Sequence, residues 1–175
     1  MRQHESRFTS NDGLSLFYRY WLPDDRPRAV LALAHGMGEH SGRYQNYVDY
    51  FVPRGYGLYA MDLRGCGQSE GRRGHVHRFD DFLDDLRQLH DLARLAASSV
   101  PVILLGHSFG SLIALAYGLR FPEGLAGAIA SVDHWSVGEM RSEPRRALLR
   151  MPQNDDIAVR VHHFDRVRER LTLCH

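Results

Sequence analysis

The chain has 175 residues, 43% of them hydrophobic and 25% charged, which is enough apolar material for one core and too little length for two. A formal net charge of +1 gives no electrostatic ground for a nucleic-acid or strongly acidic partner. Small neutral or amphipathic ligands fit better. Every basic residue other than histidine is arginine, which reads as coding bias and not as a functional signal. Cys66 and Cys174 form no disulfide framework and read as free thiols. Met1 to Phe8 is polar and the longest apolar runs have strand length, so the expectation is a cytoplasmic protein with no integral membrane segment.

Asn11-Asp12-Gly13 separates Arg7 to Ser10 from the aromatic-rich run Leu14 to Trp21, the pattern of a β-hairpin. Ala29 to Ala34 is a continuous apolar run of the kind found in buried parallel strands. His35-Gly36-Met37-Gly38 ends it. A helix is expected over Arg43 to Pro53 and a short strand over Gly57 to Met61, followed by a glycine-rich arginine loop from Asp62 to Gly74. From Phe79, apolar residues recur at 82, 83, 86, 89, 92, 93 and 95, a helical period. Aspartates 80, 81, 84 and 85 crowd its first turns, where the helix dipole favours negative charge. Val100 to Leu105 reads as a strand, Ser108 to Leu119 as a helix and Ala126 to Val132 as another strand. Strands alternating with helices at this spacing imply an α/β fold with a mostly parallel sheet and helices on both faces.

Gly106-His107-Ser108-Phe109-Gly110 matches G-x-S-x-G directly after a buried strand and at the opening of a helix. That turn is too tight for side chains at its flanks, and it lifts the Ser108 hydroxyl clear at the C-terminal edge of the sheet. The Phe109 amide then faces developing negative charge. Gly67-Gln68-Ser69-Glu70-Gly71 matches the same pattern but lies inside a polar loop with no apolar helix after it, so Ser108 is the candidate nucleophile. A tetrahedral intermediate needs a second donor, and the turn at His35 to Gly38 offers the Met37 amide.

Three ordered motifs, His35 to Tyr44 (HGMGEHSGRY), Met61 to Val76 (MDLRGCGQSEGRRGHV) and Gly106 to Ser111 (GHSFGS), resemble the monoacylglycerol lipase and lysophospholipase branch of the α/β hydrolases. The similarity runs from about Phe8 to Val132. It implies hydrolysis of fatty-acyl esters by Ser108, with oxyanion donation from Met37 and Phe109. Asp62 and Arg64 fall in the branch's D-x-R-G-x-G-x-S loop, where the arginine is expected to tie the loop down.

The resemblance fades after Val132. Too few residues follow to hold the branch's cap together with its two final strands, so the expected organisation is a core over 1–134 and a shortened cap-like or compressed segment over 135–175. Trp135 to His175 carries eight arginines and only weak periodicity. In one reading it resembles the start of a cap, and the catalytic acid and histidine are absent. In the other, Ile157 to Val161 is a compressed last strand that presents His163, or His162 as the alternative, as the base. Asp133 is then the acid, and Ser108, Asp133 and His163 follow the chain order of this fold. The expectation is a carboxylester hydrolase acting on small acyl esters. Its alternative is a catalytically impaired remnant that binds ligand or self-associates through an open sheet edge. No motif implies a cofactor, and no zinc-type spacing occurs among the eleven histidines.

Overall fold

The computed structural model describes residues 2–97 and 100–131, together with the backbone of 148–150 and 158–161. Around Gly13, whose φ is +88°, the chain folds β1 (Arg2–Thr9) back on β2 (Ser15–Leu22) as an antiparallel pair with Thr9 opposite Ser15. β3 (Ala29–Ala34) is buried at all six positions. A short 3-10 turn at Ser41–Tyr44, helix α1 (Gln45–Phe51) and a second 3-10 turn at Val52–Arg54 lead to β4 (Tyr56–Met61). Pro53 stands at the start of that last turn, where its missing N–H and fixed φ are tolerated. Then come α2 (Phe79–Ala96), β5 (Val102–His107), α3 (Phe109–Arg120) and β6 (Gly127–Ser131). β5 begins after Pro101, later than the apolar run suggests, and extends through His107 because β6 pairs along it as far as His107 opposite Ser131.

The sheet order is β1-β2-β4-β3-β5-β6, continued by β8 (Ala158–Val161) and β7 (Leu148–Arg150). β3, β4, β5, β6 and β8 are parallel to one another, and β7 runs antiparallel to β8. The compressed strand expected at Ile157 to Val161 thus coincides with β8, and the outer edge of β6 is occupied by it. Alternation along the strands divides the core in two. Leu31, Leu33, Leu58, Ala60 and Leu105 pack under Tyr44, Val48 and Val52 on one face. Val30, Ala32, Tyr59, Met61 and Leu104 pack under α2 and α3 on the other. Among the described residues no helix is long and apolar enough to cross a membrane.

The loop between β4 and α2 is built on two buried carboxylates. Asp62, 1% exposed, accepts hydrogen bonds from the Ser41 amide and hydroxyl at 2.6 and 2.5 Å and from the Gln68 amide at 2.7 Å. A Cβ at Gly67 would overlap that carboxylate. Asp85, fully buried on α2, receives the Arg64 guanidinium through two bonds of 2.6 and 2.8 Å. Arg64 also reaches Asp12 of the hairpin turn at 2.8 Å. One guanidinium therefore joins hairpin, loop and helix, which is the tying role expected of it. Ser69 is equally structural. Its hydroxyl donates to the Asp62 carbonyl at 2.5 Å and accepts from the Phe17 amide at 2.8 Å.

Replacing Arg64 by alanine strands Asp85 as a buried unpaired charge. Urea denaturation is expected to show a loss of about 3–5 kcal/mol. Arg64 and the Ser10 hydroxyl hold the half-exposed Asp12 carboxyl down at about 2. A depressed folded-state value stabilises above the unfolded value and is lost below it. The Asp12 contribution is therefore expected intact above about pH 4 and lost as pH falls toward 2, and Asp12→Asn should remove that component from a plot of urea midpoint against pH.

Candidate active site

Ser108 sits between the end of β5 and the start of α3 with φ of 51° and ψ of −114°. It is the one non-glycine residue with positive φ among the described residues. Such a backbone costs on the order of 1–3 kcal/mol and persists only where its surroundings over-determine it. They do so here through hydrogen bonds on both sides of the turn. The Ser108 amide donates to the Ser131 carbonyl at 2.7 Å, and its carbonyl accepts from the Ser111 amide at 2.9 Å. The buried Ser111 hydroxyl lies 2.9 Å from the carbonyl oxygens of both Gly106 and Ser131, and its one proton is shared between them. The flanking glycines are steric necessities. A Cβ at Gly106 would overlap the Gly110 carbonyl, and a Cβ at Gly110 would overlap the Ala34 carbonyl.

The second contact brings the Met37 turn to the serine. Ala34 pairs with Gly106 across β3 and β5, so the chain leaves both strands at the same level, side by side. The turn from Gly36 to Glu39 closes through the Glu39 amide on the Gly36 carbonyl at 3.3 Å, with Gly38 at a φ of +71°. Among the described residues the Met37 and Phe109 amides donate no hydrogen bond. Phe109 packs edge-on against Phe82 at 5.4 Å and Phe79 at 6.3 Å, which fixes the first turn of α3 against α2.

A clamp that the sequence did not disclose holds the Met37 turn. The Glu39 carboxylate accepts the Tyr44 hydroxyl at 2.6 Å and the Gly36 amide at 3.1 Å, and that amide also reaches the Tyr44 oxygen at 3.1 Å. Burial alone would raise the Glu39 carboxyl, but the Tyr44 hydroxyl and Gly36 amide hold it below its ordinary value. Burial and the bond to Glu39 push the Tyr44 phenol up. His35, fully buried, bridges to the end of β4: its Nδ1 bonds the Gly36 carbonyl at 2.7 Å and its Nε2 accepts from the Leu63 amide at 2.9 Å. Burial lowers its pKa. A neutral imidazole with both nitrogens occupied is a strut and not a base.

Asp133, His162 and His163 lie outside the described residues. The strands they follow are described, and their register is informative. Gly106, Ala130 and Val161 stand level across β5, β6 and β8. Cys66 is a free thiol, and Cys174 is outside the described residues. Among the described residues no group of three histidine, cysteine or acidic side chains is arranged to hold a metal ion.

A doubly covered, mostly parallel sheet with a strained serine between strand and helix defines an α/β hydrolase. The chain belongs to the family of that superfamily described as serine aminopeptidase, S33, which matches residues 25–153. It is 42% identical over 118 residues to a monoacylglycerol lipase of Mycolicibacterium smegmatis, covering 67% of this chain and 42% of that protein. It is 40% identical over 118 residues to the human monoglyceride lipase, covering 67% of this chain and 39% of that one. A solved carboxyl esterase of Bacillus coagulans superposes with a TM-score of 0.67 at 27% identity, over 74% of this chain and 44% of the esterase. The chain thus spans about two fifths of the length of these proteins.

Two substitutions test the geometry. Gly110→Ala forces α3 away from β3 and is expected to cost about 3 kcal/mol or more in urea denaturation. Tyr44→Phe leaves the Glu39 carboxylate short of a donor and is expected to cost about 1–3 kcal/mol in the same assay.

Proposed function

We propose that the protein is a serine hydrolase of the lipase and esterase kind, which cleaves carboxylic esters of the monoacylglycerol type through an acyl-enzyme on Ser108. The observation that carries this reading is the strained Ser108 backbone at the strand-to-helix turn, with the Met37 turn held beside it by the Ala34 and Gly106 register. The names of the two similar lipases support the substrate class.

In this reading the Ser108 hydroxyl oxygen attacks the ester carbonyl carbon and its proton passes to the imidazole of His163, with His162 as the alternative. Asp133 orients that ring and stabilises its charged form. The new oxyanion accepts hydrogen bonds from the Met37 and Phe109 amides, donors worth about 3–4 kcal/mol each in such sites. Collapse breaks the bond to the alcohol, which leaves with the proton from the imidazolium. Water then attacks the acyl carbon, the same imidazole takes its proton, and the carboxylic acid departs from a restored Ser108. The register of β5, β6 and β8 supports this assignment, because Gly106, Ala130 and Val161 stand level and Ser108, Asp133 and His163 each follow within three residues. The chemistry uses only protein groups and water.

Purified protein is expected to react with a fluorophosphonate probe and to hydrolyse p-nitrophenyl acyl esters. Ser108→Ala should abolish both, while Ser69→Ala keeps the label. His163→Ala should lower kcat by about 10⁴-fold or more. Failure of the folded protein to label at Ser108 would refute the reading and leave an impaired, non-hydrolytic member of the family.

A further inference from the structure

The sheet order ends on β1, which among the described residues has a neighbouring strand only in β2. Gln3 to Arg7 and Thr9 are exposed, and Phe8 is half-buried. The alternation of the hairpin decides which backbone groups the open side of β1 offers. The Ser10 amide donates to the Leu14 carbonyl at 2.8 Å, so the hydrogen-bonded rows of the hairpin fall on the even-numbered residues of β1. On the odd rows β2 turns its own groups away from β1. The Phe17 carbonyl accepts from the Asp62 amide at 2.9 Å, the Ser15 carbonyl accepts from the Glu70 amide at 3.0 Å, and the Phe17 amide donates to the Ser69 hydroxyl at 2.8 Å. Arg7 stands opposite Phe17 and Thr9 opposite Ser15. By the same alternation Gln3, Glu5 and Arg7 direct their N–H and C=O groups out of the sheet, a row that another strand can join.

The side chains select the strand that fits. Charges on an edge strand repel most partners, but here they are disposed symmetrically about Ser6, with Glu5 on one side and Arg7 on the other. New hydrogen-bonded rows must join odd-numbered residues, which limits where a second β1 can lie antiparallel to the first. Centred on Glu5 it sets Glu5 against Glu5, centred on Arg7 it sets Arg7 against Arg7, and centred on His4 it sets Arg7 against Met1. Centred on Ser6 it sets Glu5 against Arg7 in both directions and overlaps the strands from Gln3 to Thr9. Each row then extends contacts already present. Glu5, 3.6 Å from Arg19, gains Arg7 of the second copy, whose guanidinium lies over its own Phe17 at 5.7 Å. On the other face His4, stacked on Tyr20 at 4.8 Å, meets Phe8 of the second copy. We infer that a second copy of this chain joins the sheet through β1, antiparallel and centred on Ser6, so that one sheet runs across a two-fold axis. Charge complementarity selects this occupant. A strand pair is smaller than a standard interface, so the dimer comes apart on dilution.

Sedimentation velocity over a concentration series is expected to show monomer passing to dimer. Glu5→Arg sets arginine against arginine in both rows and Arg7→Glu sets glutamate against glutamate, and each should weaken self-association about tenfold. Mixing the two variants restores opposite charges in both rows, so the mixture should form a heterodimer of near wild-type strength. Cross-linking reads the register independently of charge. Ser6 would face its own copy in a non-hydrogen-bonded row, where Cα atoms stand about 4.5 Å apart, within reach of a disulfide. In a Cys66→Ser, Cys174→Ser background, Ser6→Cys should therefore give a disulfide-linked dimer under mild oxidation. His4→Cys should give little, because its counterpart is Phe8. Thermal melts check folding; should Arg7→Glu unfold, Glu5→Arg and the cross-linking pair decide. A monomer at every concentration, a dimer indifferent to Glu5→Arg, a mixture no stronger than either folded variant alone, or equal cross-linking at positions 4 and 6 would overturn the inference. Association is read without turnover, so an inert Ser108 would refute the hydrolysis and leave this result standing.

Discussion

The approach of the first turn of α3 to the end of β3 is the constraint on which the rest depends. With Gly110 against the Ala34 carbonyl and Gly106 against the Gly110 carbonyl, no side chain fits at either position. The helix can begin only by a sharp reversal at Ser108, and that reversal places the serine at the edge of the sheet. The same contact sets the neighbouring turn, because Ala34 is the last residue of β3 and His35 to Met37 must leave from it. The serine turn and the Met37 turn beside it are thus two consequences of one packing decision. The positive φ at Ser108 is offset by the Ser131 and Ser111 hydrogen bonds, whose loss would let the turn relax and the hydroxyl retreat.

Around this centre the edge is assembled from polar struts and not from loop packing alone. His35 ties the end of β3 to Leu63, Asp62 ties the loop to Ser41, and Arg64 ties the loop to α2 and the hairpin. Buried charges are tolerable here because each has several partners, and removing one partner is far costlier than the pair is worth.

Much of this was legible in the sequence. Ala29–Ala34 matches β3 residue for residue because a six-residue apolar run bounded by an arginine and a His-Gly turn has few alternatives. The serine turn was readable because glycine spacing, the preceding strand and the following helix agree. Asp85 was read with its neighbours as a dipole-favoured acid. It is in fact the buried partner of Arg64, and the signal lay in its position three residues after Phe82 and four before Leu89, on the apolar stripe of α2. The clamp of Glu39 and Tyr44 was hidden for another reason. Both residues stand inside the HGMGEHSGRY motif, but sequence spacing does not reveal that a 3-10 turn brings a carboxylate and a phenol five residues apart onto one backbone amide. The proposed acid and base, Asp133 and His163 or His162, were legible only as chain order, since they follow strands whose pairing is a long-range property.

The central claim is that backbone geometry makes Ser108, and not the look-alike Ser69, the residue that forms the covalent intermediate. Rapid quenching during turnover of a p-nitrophenyl ester, followed by peptide mass spectrometry, reads this directly. The account predicts an acyl mass increment on the peptide carrying Ser108, accumulating with the burst of p-nitrophenol. An increment on any other peptide, or turnover with no acylated peptide at all, would contradict it.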